Sequence, residues 1–170
     1  MKNLKYESYK EANNLLNDAR ENNDLPRCIA AIAVCESIIA DRLQSYLKFK
    51  APEIFIEKGK EKKFVATGKM VTECLKHFSE LKIDVNSKKF DKVESINLFK
   101  DLQLWLSSRN EICHGFVKSK PGTPSKEISA FHKAAMKAAE DGIRLTKLVI
   151  KWHKQQLQIT NKKKQHASRT

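Results

Sequence analysis

Apolar positions along the chain recur at the three-and-four spacing of amphipathic helices and nowhere keep a sustained period of two. The pattern predicts five helices and no sheet. The first is expected over Tyr6 to Arg20, with Glu, Lys and Asn on its outer face. Asp24 and Pro26 then supply the start signal for a second helix running to about Lys48. A third, from Ala66 to Lys82, is amphipathic through Met70, Val71, Cys74, Phe78 and Leu81. Asp91-Lys92-Val93-Glu94 has capping-box spacing and opens a fourth helix to about Cys113, which Gly115 and the Pro121-Gly122 pair are expected to end. Thr123 as N-cap and Pro124 at the first helical position start a long fifth helix to about Leu157. Segments 57–63 and 84–89 lack periodicity and are expected as mobile connections. The fold class expected is therefore all-α, a single bundle of about five helices over residues 1–158. A basic disordered tail, 159–170, carries Lys162, Lys163, Lys164 and Arg169.

Composition fits that class. A chain of 170 residues is the size of one domain, and 41% hydrophobic content with five Gly and four Pro is a globular profile. No run approaches the roughly 18 apolar residues of a membrane span, and the polar start Met1-Lys2-Asn3-Leu4-Lys5-Tyr6 lacks a signal-peptide apolar region. The expectation is a cytoplasmic protein without a membrane partner. Cys28, Cys35, Cys74 and Cys113 are scattered, without the short spacing a zinc site needs, and read as small core residues. No metal and no cofactor are expected.

Charge changes the picture more. The net charge is +13, yet residues 1–50 hold 8 Lys and Arg against 7 Asp and Glu, whereas residues 51–170 hold 25 against 13. A field of this kind attracts polyanions, either nucleic acid or an acidic membrane surface. A solubilising lysine surface would carry the same charge.

Two positions break the hydrophobic pattern. Leu98, Leu102, Trp105, Arg109, Ile112 and Phe116 follow one another at spacings of 4, 3, 4, 3 and 4, an inward stripe with an arginine in its middle. An unpaired guanidinium in a core is very costly, so Arg109 either has a buried acidic partner or lines a cleft where its charge is used. On the second helix Ile32, Glu36, Ile39 and Leu43 share helical spacing, and Glu36 is the carboxylate in an otherwise apolar stretch. Glu36 is the candidate partner, for architecture or for function. His114 lies five residues after Arg109, about 140° around an ideal helix. To join Arg109 it needs a turn after Cys113 or a second chain. His77, His132, His153 and His166 are assigned to ordinary surface or core duty.

Arg109-Asn110-x-x-x-His114, followed by Gly115, resembles the R-x4-6-H signature of the HEPN superfamily (higher eukaryotes and prokaryotes nucleotide-binding). HEPN domains are bundles of four or five helices whose motif lies near the end of the penultimate helix, and the resemblance covers roughly residues 5–158. It implies a metal-independent endoribonuclease in a bacterial toxin, phage-defence or stress role, with RNA as substrate. It also implies a homodimer whose two motifs face each other in one composite site, and a possible antitoxin or defence-system partner protein. Attack of a ribose 2′-OH on the adjacent phosphate needs proton transfer and positive charge on the phosphorane oxygens. Among the residues carried over, His114 would move protons, Arg109 would hold the phosphate in its fork, and Asn110 would orient His114 or a phosphate oxygen. Two departures stand out. Phe116 lies two residues after His114, where members modified by a partner nucleotidyltransferase carry Tyr, and the E-x3-K-K/R element of some HEPN nucleases is missing before the motif.

On the fifth helix, Ile128, Phe131, Ala135, Ala138, Gly142, Leu145, Val149 and Trp152 form the apolar face, with small residues in its middle that let another helix pack close. Its other face carries Lys133, Lys137, Arg144, Lys147, Lys151 and Lys154, a row able to track a phosphate backbone or simply to face solvent. Lys118 and Lys120, next to the motif, are the candidate RNA contacts. A catalytically silent HEPN module that binds RNA or a partner protein is the alternative function. A DNA-binding helical domain ranks below both because no helix-turn-helix spacing is present.

Overall fold

The computed structural model of the protein describes the backbone of residues 4–57, 59–62, 64–80, 92–118 and 125–167, and side chains over 7–57, 59–62, 64–80, 92–115 and 128–159. The fold is an all-α bundle with five helices among the described residues: α1 (Leu4–Asn22), α2 (Leu25–Lys50), α3 (Thr67–Glu80), α4 (Lys92–Lys118) and the long α5 (Ser125–Ala167). No helix among them is long and apolar enough to cross a membrane.

The turn from α1 into α2 shows local chemistry setting the geometry. Asn23 adopts a left-handed φ of 53°, and the Asp24 amide donates back to the Ala19 carbonyl at 3.0 Å, as in a Schellman motif. Asn tolerates that conformation better than most residues with a Cβ. Asp24 then caps α2, its Oδ1 accepting from the Arg27 amide at 3.1 Å.

Three boundaries differ from the sequence pattern. First, a small antiparallel hairpin follows a 3-10 turn at Pro52–Phe55, with β1 (Ile56–Glu57) facing β2 (Lys60–Glu61) in the register Ile56 to Glu61. Two-residue strands are too short to show an alternating pattern. Gly59, at φ 75°, supplies the turn, and a 2.8 Å Lys48–Glu61 ion pair ties the hairpin to the end of α2. Second, α4 does not stop at Cys113 but continues through Gly115 to Lys118. Third, α5 runs past Leu157 to Ala167, so the expected disordered tail is helical over its first nine residues. Residues 158–167 contain neither Gly nor Pro, and lysines near a helix C-terminus complement its dipole. Thr123, Pro124 and segment 84–89 lie outside the described residues.

The chain divides into two compact units: Met1–Ile38 with Leu102–Thr146, and Ile39–Asp101 with Lys147–Thr170. In the second unit the core is aromatic. Trp152 is fully buried, with the Tyr46 ring 4.8 Å away and the Phe99 ring 5.1 Å away, and Phe78 stacks on Phe99 at 5.7 Å. Burial pushes the Cys74 thiol well above its usual range there. In the first unit the core is built from small and branched residues, including Ala12, Leu16, Ala31, Ile32, Ala135, Ala138 and Leu145. Cys28 and Cys35 are buried among them, and burial pushes the Cys35 thiol up to about 11. Such thiols behave as small apolar groups rather than nucleophiles.

Small residues on α5 let α4 lie close. The Trp105 indole N–H donates to the Ala138 carbonyl at 2.8 Å, and a Cβ at Gly142 would meet the Trp105 ring at 2.8 Å. With that ring pinned by its hydrogen bond, Gly142→Ala is expected to destabilise the protein by about 1–3 kcal/mol despite the gain in helix propensity. Thermal melting checks this, and an unchanged midpoint would mean that Trp105 is free to move aside.

Candidate active site

The motif sits on the last turns of α4, in the first unit. Leu102, Trp105 and Ile112 are buried, so the inward stripe exists and Arg109 lies in it with 21% of its side chain exposed. From α2, Ile32 and Ile39 are likewise buried and Glu36 between them is 23% exposed. The two exceptions meet: Glu36 Oε1 accepts from Arg109 Nη2 in an ion pair. Two charges with little solvent access thus compensate each other, the arrangement a charged pair needs in an apolar stripe.

Asn110 extends the pair. Its Oδ1 accepts from Arg109 Nη1 at 2.6 Å, so the guanidinium is held from two sides. Arg109 Nε is buried and, among the described residues, has no hydrogen-bond partner. Arginine has five N–H groups, so the fork is fixed in place without being fully used.

His114 occupies a different position from Arg109. Because α4 is continuous to Lys118, no turn after Cys113 swings the imidazole toward the guanidinium. His114 is exposed, and among the described residues no hydrogen bond or ion pair holds it. It does share a face with Asn110, four residues earlier and also exposed. The chain therefore presents Glu36, Arg109 and Asn110 as one linked group, with His114 one turn beyond Asn110 on the open side of the helix.

Gly115 has a packing role that the sequence pattern missed. A Cβ at Gly115 would come within 2.8 Å of the Phe131 ring on α5. Gly115 therefore marks a close helix–helix approach in place of the helix stop expected there. The signal for this was Phe131 itself, on the apolar stripe of α5 opposite the motif. Phe116 and Lys118 belong to the helical backbone but their side chains lie outside the described residues, as does all of Lys120.

On the expected phosphate-tracking row, Lys133, Lys137 and Arg144 of this unit are exposed. Asp141 lies 3.4 Å from Lys137 and 3.7 Å from Arg144, which offsets part of their charge. Lys133 has no carboxylate partner among the described residues. No group of His, Cys, Asp and Glu able to hold a metal ion occurs among them either.

Neither family models, curated proteins nor solved structures contain a match to this chain.

The Glu36–Arg109 pair makes a stability prediction that separates it from chance contact. Glu36→Ala leaves a mostly buried guanidinium uncompensated, at a cost of about 1–3 kcal/mol given the partial exposure, whereas Arg109→Met keeps the stem packing and costs less. The double variant should fall short of the summed effects by about 1 kcal/mol or more in denaturant unfolding. Additive effects would mean that the two charges do not interact.

Proposed function

We propose that the chain is a metal-independent endoribonuclease, with Arg109, Asn110 and His114 as its catalytic residues and Glu36 as the residue that positions Arg109. The observation that carries this reading is the division of labour on α4: a guanidinium fixed by Glu36 and Asn110, and an exposed imidazole, unengaged among the described residues, on the same face as Asn110.

In the proposed reaction the ribose 2′-oxygen loses its proton and bonds to the adjacent phosphorus. The bond from phosphorus to the 5′-oxygen breaks, that oxygen takes up a proton, and a 2′,3′-cyclic phosphate and a 5′-hydroxyl result. Arg109 holds a non-bridging oxygen and stabilises the charge that builds on the phosphorane. Proton removal and proton delivery occur on opposite sides of the phosphorus, so one imidazole cannot do both in a single step. A second copy of the chain, presenting its own His114, supplies the missing group. That need, together with the 140° between Arg109 and His114 on an unbroken helix, supports a homodimer with a composite site. Lys118 and Lys120 are the proposed contacts to flanking phosphates. A cytoplasmic toxin, defence or stress role, with an antitoxin or defence-system protein as partner, completes the proposal.

The alternative is a catalytically silent module that binds RNA or a partner protein. The ion pair favours it, because Arg109 would be present in such a protein simply to satisfy Glu36.

Cleavage of RNA in EDTA by wild type, Arg109→Ala and His114→Ala decides between them. The nuclease reading expects activity without metal, falling by about 10²–10³-fold in Arg109→Ala and by about 10²–10⁴-fold in His114→Ala. Undiminished cleavage by both variants would sink it, and binding of RNA without cleavage by wild type would establish the alternative.

A further inference from the structure

Two sulfur atoms of the first unit touch across helices. The Cys28 thiol on α2 donates to the Met136 thioether on α5, with the sulfurs 3.8 Å apart. Cys28 is fully buried, whereas Met136 is half-buried and lines an open pocket of about 340 Å³ beside the α1–α2 turn. Met136 therefore spans the boundary between core and solvent. Met70 on α3 is the contrast, a thioether with 3% of its surface exposed.

Chemistry separates the two partners of the sulfur pair. A thiol meets oxidants as its thiolate. Burial, with the Asp24 charge nearby, holds the Cys28 thiol above its ordinary range, so it stays protonated and remains a donor. A thioether keeps its lone pairs at any pH and needs only access. Hydrogen peroxide occupies roughly 60 Å³, the share of two waters, and the open pocket admits it easily.

We propose that Met136 is a reversible oxidation site of this protein, converted by hydrogen peroxide to methionine sulfoxide, and that the change loosens α5 from α2. A lone pair of the Met136 sulfur attacks one peroxide oxygen, and the O–O bond breaks. The transferred oxygen gives its proton to the departing hydroxide, so water leaves and an S=O group remains. Sulfur loses two electrons and the peroxide gains two. The product is polar and pyramidal at sulfur, unlike the soft apolar group it replaces. Set against a buried thiol, the new oxygen either displaces the Cys28 contact or carries Met136 out into the pocket. Both remove apolar packing between α2 and α5 in the first unit. Phe131, five residues earlier on α5, is the ring that meets Gly115, so the loss falls close to the clamp on the motif helix. The inference needs none of the residues of the nuclease reading and stands without it.

The test treats the full chain with hydrogen peroxide and follows it by peptide mass mapping and thermal melting. Met136 should gain one oxygen at least about tenfold faster than Met70. The melting midpoint should fall by about 3 °C or more once Met136 is sulfoxide, and methionine sulfoxide reductase should restore it. Met136→Leu keeps the side-chain volume and should fold with a midpoint near that of wild type. It also retains the half-buried Cys113, so the same treatment of this variant shows what cysteine oxidation alone does. Its midpoint should stay in place, and an equal fall in Met136→Leu would overturn the proposal. Oxidation of Met136 no faster than that of Met70 would overturn it too, as would a midpoint unchanged by complete conversion of Met136.

Discussion

A guanidinium set into an apolar helix stripe constrains everything around it. Arg109 lies between buried Trp105 and buried Ile112, and its charge has to be compensated where little water reaches. Glu36 does this from α2, and Asn110 closes the other side of the fork. That requirement fixes the register of α2 against α4, because a slip of one residue on either helix would take the carboxylate away from the guanidinium and leave both charges uncompensated. The same pair leaves the first unit with a fixed positive fork beside an open helix face that bears His114.

Close helix approach is the second constraint, and glycine makes it possible twice. Gly142 lets the Trp105 indole lie across α5 and bond to the Ala138 carbonyl, while Gly115 admits the edge of the Phe131 ring. Both contacts join α4 to α5 in the first unit, one on each side of Arg109 along α4. The segment that carries the motif is therefore clamped at both ends, which suits a site that needs preorganised charge.

Much of this was legible in the residues because it depends on local chemistry or on helical periodicity. Asp24 as a cap follows from one capping side chain and the meeting of Glu36 with Arg109 from one misfit residue per stripe, and Cys28, Cys35 and Cys74 are buried as their scattered spacing suggested, whereas Cys113 is only half-buried. The boundary of α4 was not legible, because glycine serves both as a helix stop and as a point of close approach. Only the position of Phe131 in space decides which. The hairpin at Ile56–Glu61 was hidden because strands of two residues cannot show a period of two. The division into two units leaves no mark in composition, since α2, α4 and α5 each contribute residues to both.

The central claim is that Arg109 is held by Glu36 for phosphate chemistry driven by a ribose 2′-hydroxyl. Its most direct test is the chemical nature of the ends left on RNA cut in EDTA, read by mass spectrometry. The account predicts 2′,3′-cyclic phosphate and 5′-hydroxyl ends, and no product from the same strand made with 2′-O-methyl ribose. Ends bearing a 5′-phosphate, or cleavage of the methylated strand, would contradict it.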